Sequence, residues 1–305
     1  MLRYWINSWT GRAGQRPHPG SVQPVPAAPQ DILAFATQQL NIHPDPHQAA
    51  FLLSNADQGI LNCTRQWGKS TMAAIKAVHH SLTRPGSLVV IASPSERQSG
   101  LLIRKAARML RRLGIQVRRD GSDVPSILLP NESNIVGLPG NEETIRGYSA
   151  VSLLLVDEAS RLEDRIYFAL RPMLAVGGTD SEAVGGSGSE AVGGSGSEAA
   201  NSSCGKLWLM STPCGRRGFF YEAWELGGDE WERIRVPATE CPRISPNFLE
   251  RERRNMAPMW FRQEYLAEFV DNGTTVFSRD LVEAAIDSTL KPLNLKLDLW
   301  PEHAW

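Results

Sequence analysis

Short, continuous apolar runs alternate along this chain with longer stretches in which apolar positions recur every three or four residues. The continuous runs lie near 59–64, 87–93, 134–138, 151–157 and 206–211, and a further strand is expected near 231–236, where Glu232, Arg233 and Arg235 interrupt Trp231, Ile234 and Val236. A run with no polar alternation suits a strand covered on both faces, as in a parallel sheet. The periodic stretches lie near 69–82, 96–113, 163–174, 218–225, 246–254 and 258–268, with a short one at Ile32–Leu40. Their spacing predicts amphipathic helices. Alternating strands and helices predict an α/β fold, a mostly parallel sheet with helices on both faces. Trp67, Trp208, Trp224, Trp231 and Trp260 are then core or partly buried aromatics, since tryptophans pack more often than they stack on bases.

Two junctions in this pattern carry candidate chemistry. The first expected strand runs into Cys63-Thr64-Arg65-Gln66-Trp67-Gly68-Lys69-Ser70-Thr71 and then into a helix. Strand, tight loop ending in Gly-Lys-Ser, then helix is the layout of a P-loop NTPase. Gly68 lets the backbone approach a phosphate, and successive N–H groups at the helix start face the anion. Lys69 reaches the β- and γ-phosphates of ATP, and the Ser70 hydroxyl joins a Mg2+ shell. Cys63 stands where the usual pattern opens with glycine, and a loop that merely starts a helix is the competing reading. The second junction is Val151-Ser152-Leu153-Leu154-Leu155-Val156-Asp157-Glu158, where two carboxylates follow a buried strand. Open α/β sheets bind ligands at that end. Asp157 would hold magnesium, and Glu158 would orient and deprotonate the attacking water. The competing reading makes both carboxylates caps of the next helix, near Ala159. A third strand ends in Ser211-Thr212-Pro213, hydroxyls placed to sense a γ-phosphate, or an ordinary strand exit stopped by proline.

Charge and composition narrow the partners. The chain has 305 residues, 42% hydrophobic, with a formal net charge of −1. That supports a sizeable core and excludes a uniformly basic coat for DNA. Locally, Arg104, Arg108 and Arg111 share one side of the 96–113 helix and could track a DNA backbone, or simply be a solvated face. Arg216-Arg217 and Arg251, Arg253 and Arg254 are further candidates. Cys63, Cys204, Cys214 and Cys241 show neither metal-ligand spacing nor a disulfide framework, so a reduced cytoplasmic setting is expected. No run is long and apolar enough to span a membrane. Residues 1–30 are expected to be a disordered lead. Residues 175–200 hold Ala-Val-Gly-Gly-Ser-Gly-Ser-Glu twice, at 183–190 and 191–198, and are expected to be a flexible insertion. The repeats lack the Asp of the preceding segment, which argues against a calcium-binding roll.

Taken in order, these elements resemble the ATPase region of the large terminase subunit of tailed bacteriophages, from about Pro44 to about Phe277. The likeness rests on Arg65-Gln66-Trp67-Gly68-Lys69-Ser70, Ser93-Pro94-Ser95-Glu96-Arg97-Gln98, Thr144-Ile145-Arg146-Gly147-Tyr148, Asp157-Glu158, Ser211-Thr212-Pro213-Cys214-Gly215 and Trp260-Phe261-Arg262-Gln263-Glu264-Tyr265 with Glu268-Phe269. The resemblance implies an ATP-hydrolysing motor that moves double-stranded DNA into a procapsid. It implies a homo-oligomeric ring on the portal protein, a small terminase subunit as partner, and the bacterial host cytoplasm as the setting. It gives Gln48 to adenine recognition, Arg65 to the γ-phosphate, and Ser211-Thr212-Pro213 to coupling. The family continues into a nuclease domain, whereas here a short tail, 278–305, follows Val276-Phe277. Nuclease activity is therefore not expected from this chain, which a split gene or a truncated, inactive prophage remnant would also produce. A helicase is a further alternative, distinguished by strand separation.

Overall fold

The computed structural model describes residues 30–145, 147–178 and 204–271, with residue 281 and residues 284–286. The expected lead (apart from residue 30), most of the 175–200 insertion, Arg146, Phe277 and nearly all of the tail lie outside the described residues.

Seven strands are described: β1 (Gln58–Cys63), β2 (Leu88–Ser93), β3 (Ser126–Leu128), β4 (Asn134–Pro139), β5 (Leu153–Asp157), β6 (Lys206–Ser211) and β7 (Trp231–Val236). They form one sheet in the order β3-β4-β2-β5-β6-β1-β7. Every pairing is parallel except that of β3, an antiparallel edge strand on β4. The apolar runs are continuous because the strands inside the sheet each feed two cores. Leu153 and Leu155 of β5 face one cluster, with Leu61, Ile91 and Trp208. Leu154 and Val156 face the other, with Ile60, Val90 and Leu209.

Helices close both faces. The described ones are α1 (Ile32–Ala34), α2 (Pro46–Leu53), α3 (Lys69–Thr83), α4 (Glu96–Arg112), α5 (Glu142–Ile145), α6 (Asp164–Leu170), α7 (Gly218–Glu225), α8 (Pro246–Asn255) and α9 (Pro258–Glu264). Phe51 of α2, Ile75 of α3 and Leu110 of α4 cover one face, and Ile166 of α6 and Phe220 of α7 the other. Three expected helices are corrected. The one at Ile32–Leu40 passes from α1 into a π-helical turn at Phe35–Gln39. The one at 163–174 tightens after Leu170 into a 3-10 turn, Arg171–Leu174, where Pro172 has no N–H to continue the α-helical ladder. The one at 258–268 stops at Glu264, and the chain turns through Ala267 at φ 52°. Trp260 is also not packed as expected, with 48% of its surface exposed.

The insertion leaves and re-enters the fold at one place. Gly177 and Gly205 both donate their N–H to the Leu174 carbonyl. A Cβ on Gly177 or Gly205 would lie 1.8 or 1.9 Å from the Val151 carbonyl oxygen, so only glycine fits either stem. Val151 precedes β5, at the end of the sheet opposite Asp157.

Candidate active site

The sheet order brings the two candidate junctions together. β1 carries the 63–70 loop and β5 carries the carboxylates, with β6 between them. All three strands are parallel, so Cys63, Asp157 and Ser211 lie at the same end of the sheet, where ligands bind such folds.

The loop is held by its own tryptophan. Trp67 is fully buried in the core cluster beneath α3. Gln66 and Gly68 on either side have φ of 65° and 100°, which turn the backbone sharply. Gly68 is the left-handed N-cap of α3, so Lys69 and Ser70 open that helix with their N–H groups at its positive end. The Trp67 carbonyl accepts a hydrogen bond from Gln48 Nε2 at 2.8 Å and another from Arg243. Gln48 Oε1 accepts the Asp45 N–H, closing a capping box at the start of α2. Gln48 is therefore a buried clamp of the loop, with 2% of its surface exposed. Arg243 also reaches Asp45 Oδ2 at 3.2 Å. Nothing local in the sequence marks Arg243, which meets the loop from nearly two hundred residues away.

The carboxylates face the loop lysine. Lys69 Nζ lies 2.8 Å from Glu158 Oε1 and 3.6 Å from Asp157 Oδ1. Glu158 adopts φ 54°, ψ 40°, a left-handed conformation unusual for glutamate, and its side chain makes no capping bond to the turn it precedes. The helix-cap alternative is thus not what Glu158 does. Its second oxygen takes a hydrogen bond from Arg161 Nη1 at 3.0 Å. Burial raises the Asp157 pKa, and the Glu158 charge adds to it, against the pull of Lys69. Burial also works to raise Glu158, but Lys69, Arg161 and Arg65 outweigh it and hold its pKa low. Lys69 is opposed by burial, yet the carboxylates of Asp157 and Glu158 keep its pKa raised. Cys63 is pushed up to about 12 by burial and stays a thiol.

The arrangement fits a metal–nucleotide on one direct sign. Asp157 Oδ1 is buried without a hydrogen bond, with the Lys69 ammonium 3.6 Å away as its counter-charge, so it has coordination capacity left for a metal ion. Ser93 at the tip of β2, next to β5 in the sheet, has an unpartnered buried hydroxyl as well. Lys105 of α4, not singled out from the sequence, donates to Thr71 Oγ1 at 3.0 Å. It lies between Leu102 and Met109 on the buried side of α4, which the helical pattern contained.

The tip of β6 bridges both neighbours. The Thr212 hydroxyl donates to the Cys63 carbonyl at 3.0 Å. Ser211 Oγ shares a 2.7 Å hydrogen bond with Ser160 Oγ, just beyond Glu158. Pro213 follows, buried. Arg65 does not pair with Glu158. Its Nε donates to Glu264 Oε2 of α9 at 2.6 Å. Arg104, Arg108 and Arg111 are exposed on α4 and stand apart from this cluster. Of the further cations, Arg216 lies 3.8 Å from Asp271, Arg251 lies 3.8 Å from Glu252, and Arg254 lies 3.1 Å from Glu250. Among the described residues no group of three His, Cys, Asp or Glu side chains could hold a metal unaided. The described cysteines are free, and no described helix is long and apolar enough to cross a membrane.

This sheet, with the loop and the carboxylates at its C-terminal edge, is a P-loop NTPase-like α/β fold. No family model matches the chain. In sequence it is similar to the large terminase subunits of Thermus phage G20c and Thermus virus P23-45, 26% identical to each over 274 residues and covering 76% of this chain. It spans about half of those relatives, 50% of each. In structure it is similar to the large terminase ATPase domain of Thermus phage P74-26, with a TM-score of 0.59, 21% identity, and 77% of this chain and 97% of that one covered. The large terminase of bacteriophage HK97 matches with a TM-score of 0.57, 16% identity, and 78% and 54% coverage. The large terminase of another thermophilic bacteriophage, in complex with ADP, matches with a TM-score of 0.53, 14% identity, and 74% and 53% coverage. The chain thus resembles phage large terminase subunits over a region the size of their ATPase domain, and shares that domain's fold.

Proposed function

We propose that this chain is the ATP-hydrolysing motor part of a phage or prophage terminase, moving double-stranded DNA into a procapsid. The observation that carries the reading is the placement of Lys69 2.8 Å from Glu158 and 3.6 Å from Asp157 Oδ1, a buried oxygen with no hydrogen bond. The large-terminase likeness supports the motor role. Ser70 and Asp157 are the residues that would hold magnesium, which supplies charge neutralisation on the phosphate oxygens when bound. Lys69, the N–H groups of 66–71 and Arg65 bind the phosphates of ATP, and Gln48, held against the same loop, would read the base.

Glu158 takes the proton of the attacking water. While Lys69 is paired with it, its carboxylate is held acidic. Transfer of Lys69 to phosphate oxygens removes the largest of the groups that oppose burial, so Glu158 becomes more basic when substrate is in place. The hydroxyls of Ser211 and Thr212 tie the strand between loop and carboxylates to both, which suits them to pass on the loss of a phosphate. The exposed arginines of α4 supply a grip on DNA. In this reading the motor works as a ring on the portal protein, fed by a small terminase subunit in the host cytoplasm.

The test is hydrolysis by Glu158→Gln with magnesium. Turnover should fall about 10²–10⁴-fold, the range for a positioned base, while nucleotide binding persists. Turnover equal to the parent's would remove Glu158 from the reaction.

A further inference from the structure

One chain of charges runs out of the site and ends on α9. Lys69 Nζ meets Glu158 Oε1 at 2.8 Å, and Glu158 Oε2 meets Arg161 Nη1 at 3.0 Å. Arg161 Nη2 lies 3.6 Å from Glu264 Oε1, and Glu264 Oε2 accepts from Arg65 Nε at 2.6 Å. The Glu264 side chain is only 16% exposed, while that of Arg65 is 62% exposed. A single carboxylate therefore holds two arginines, one leading to Glu158 and one belonging to the phosphate loop.

The backbone beside Glu264 is tied to the same strand. Thr64 Oγ1 donates to the Glu264 carbonyl at 3.0 Å, and Asn62 Nδ2 donates to the Ala267 carbonyl at 3.0 Å. Ala238 after β7 donates its N–H to the Tyr265 carbonyl. With its backbone fixed, the Glu264 carboxylate has a defined place, and Arg65 is the more exposed partner.

We propose that Glu264 is a positioning residue: it sets which of two places the Arg65 guanidinium occupies, and it holds Arg161 against Glu158. The inference rests on the ATPase reading above. With Arg65 on Glu264, the loop has one cation fewer for phosphates. A bound polyphosphate competes for Arg65, and its transfer leaves the Glu264 carboxylate to Arg161. Nucleotide binding and the docking of α9 are then linked, and the linkage works in both directions. α9 would register whether the loop holds phosphate, without touching the nucleotide.

The proposal forecasts a split that a packing role does not produce. Glu264→Gln releases Arg65 and should tighten ATP binding by roughly 5-fold or more, the lower end of typical coupling between sites. The same change loosens Arg161 on Glu158, and kcat should fall by about 10- to 100-fold, as for a modest misplacement of a reacting group. In an Arg65→Ala background, Glu264→Gln should no longer change affinity but should still lower kcat. Glu264→Asp keeps the charge and should recover part of the parental kcat. The measurements are ATP affinity, steady-state kinetics and thermal unfolding of the full chain in all these variants. Unchanged affinity and kcat in Glu264→Gln overturn the proposal, as does weaker binding accompanied by a lowered unfolding midpoint. If Glu158→Gln loses turnover while the Glu264 variants behave like the parent, only this inference falls. If the parent neither binds nor hydrolyses ATP, the reading of the site falls with it.

Discussion

Glu158 keeps a backbone conformation that an ordinary glutamate avoids, at a cost of the order of 1–3 kcal/mol. The return is direction: the turn sends its side chain back toward Lys69 and Arg161 instead of along the strand. Gln48 poses a different question, because its amide is already engaged by Asp45 and Trp67. An amide oxygen has a second lone pair and its nitrogen a second proton, so clamping the loop leaves capacity for a base edge. Gln48→Ala should lower the unfolding midpoint, at a cost of roughly 1–3 kcal/mol of stability, since the Asp45 N–H loses its partner and the Trp67 carbonyl keeps only Arg243. It should also narrow the preference for ATP over GTP in competition binding. A lowered midpoint with an unchanged preference would confine Gln48 to holding the loop. The capping box Asp45-Pro46-His47-Gln48 is a helix start written in the sequence, although no helix is expected there from the apolar spacing. Arg243 and Glu264 carried no such local sign, because their partners come from segments nearly two hundred residues away.

At the scale of elements, α4 presents two faces with different tasks. Leu102, Ile103, Ala106, Met109 and Leu110 pack inward, Lys105 leans toward α3, and Arg104, Arg108 and Arg111 face solvent. A motor must grip every sequence it meets, so phosphate contacts are the suitable kind. If these arginines supply them, affinity for DNA falls steeply with salt. Replacing all three by Gln should flatten the plot of log affinity against log salt and leave preference among DNA sequences unchanged. A slope equal to the parent's would move the grip away from α4. Five of the strands were legible because burial on both faces leaves no polar alternation to confuse the pattern, whereas β7, an edge strand with Glu232, Arg233 and Arg235, was expected without such a run. β3 was not, since its three residues make an edge strand whose pairing depends on β4. The split of the 163–174 helix followed from Pro172, a signal present in the sequence but outweighed by the apolar spacing around it.

For the whole molecule, the order of strands explains why the site was readable in its parts but not in its wiring. Loop and carboxylates announce themselves by type and by place after a buried strand. The hydrogen bonds of Thr212 and Ser211 arise only because β6 is inserted between β1 and β5, and a chain order does not disclose that. The same scale governs the insertion. Its two glycine stems meet on the Leu174 carbonyl, so the fold does not depend on the residues between them to bring Leu174 and Lys206 together. Replacing most of residues 179–203 with a short Gly-Ser turn should leave the unfolding midpoint nearly unchanged, because each doubling of loop length costs only about 0.6 kcal/mol. A large drop would show that the segment packs.

The stems that meet beneath Val151 also offer something practical. They lie one strand length, about 17 Å, from the end of the sheet that carries Lys69 and Glu158. A tag, fluorophore or surface anchor spliced between them would hold the protein from behind, leaving the loop, the carboxylates and the exposed face of α4 open to solution. A single molecule fixed by that handle could be watched for steps along DNA, with the point of attachment remote from the chemistry being timed.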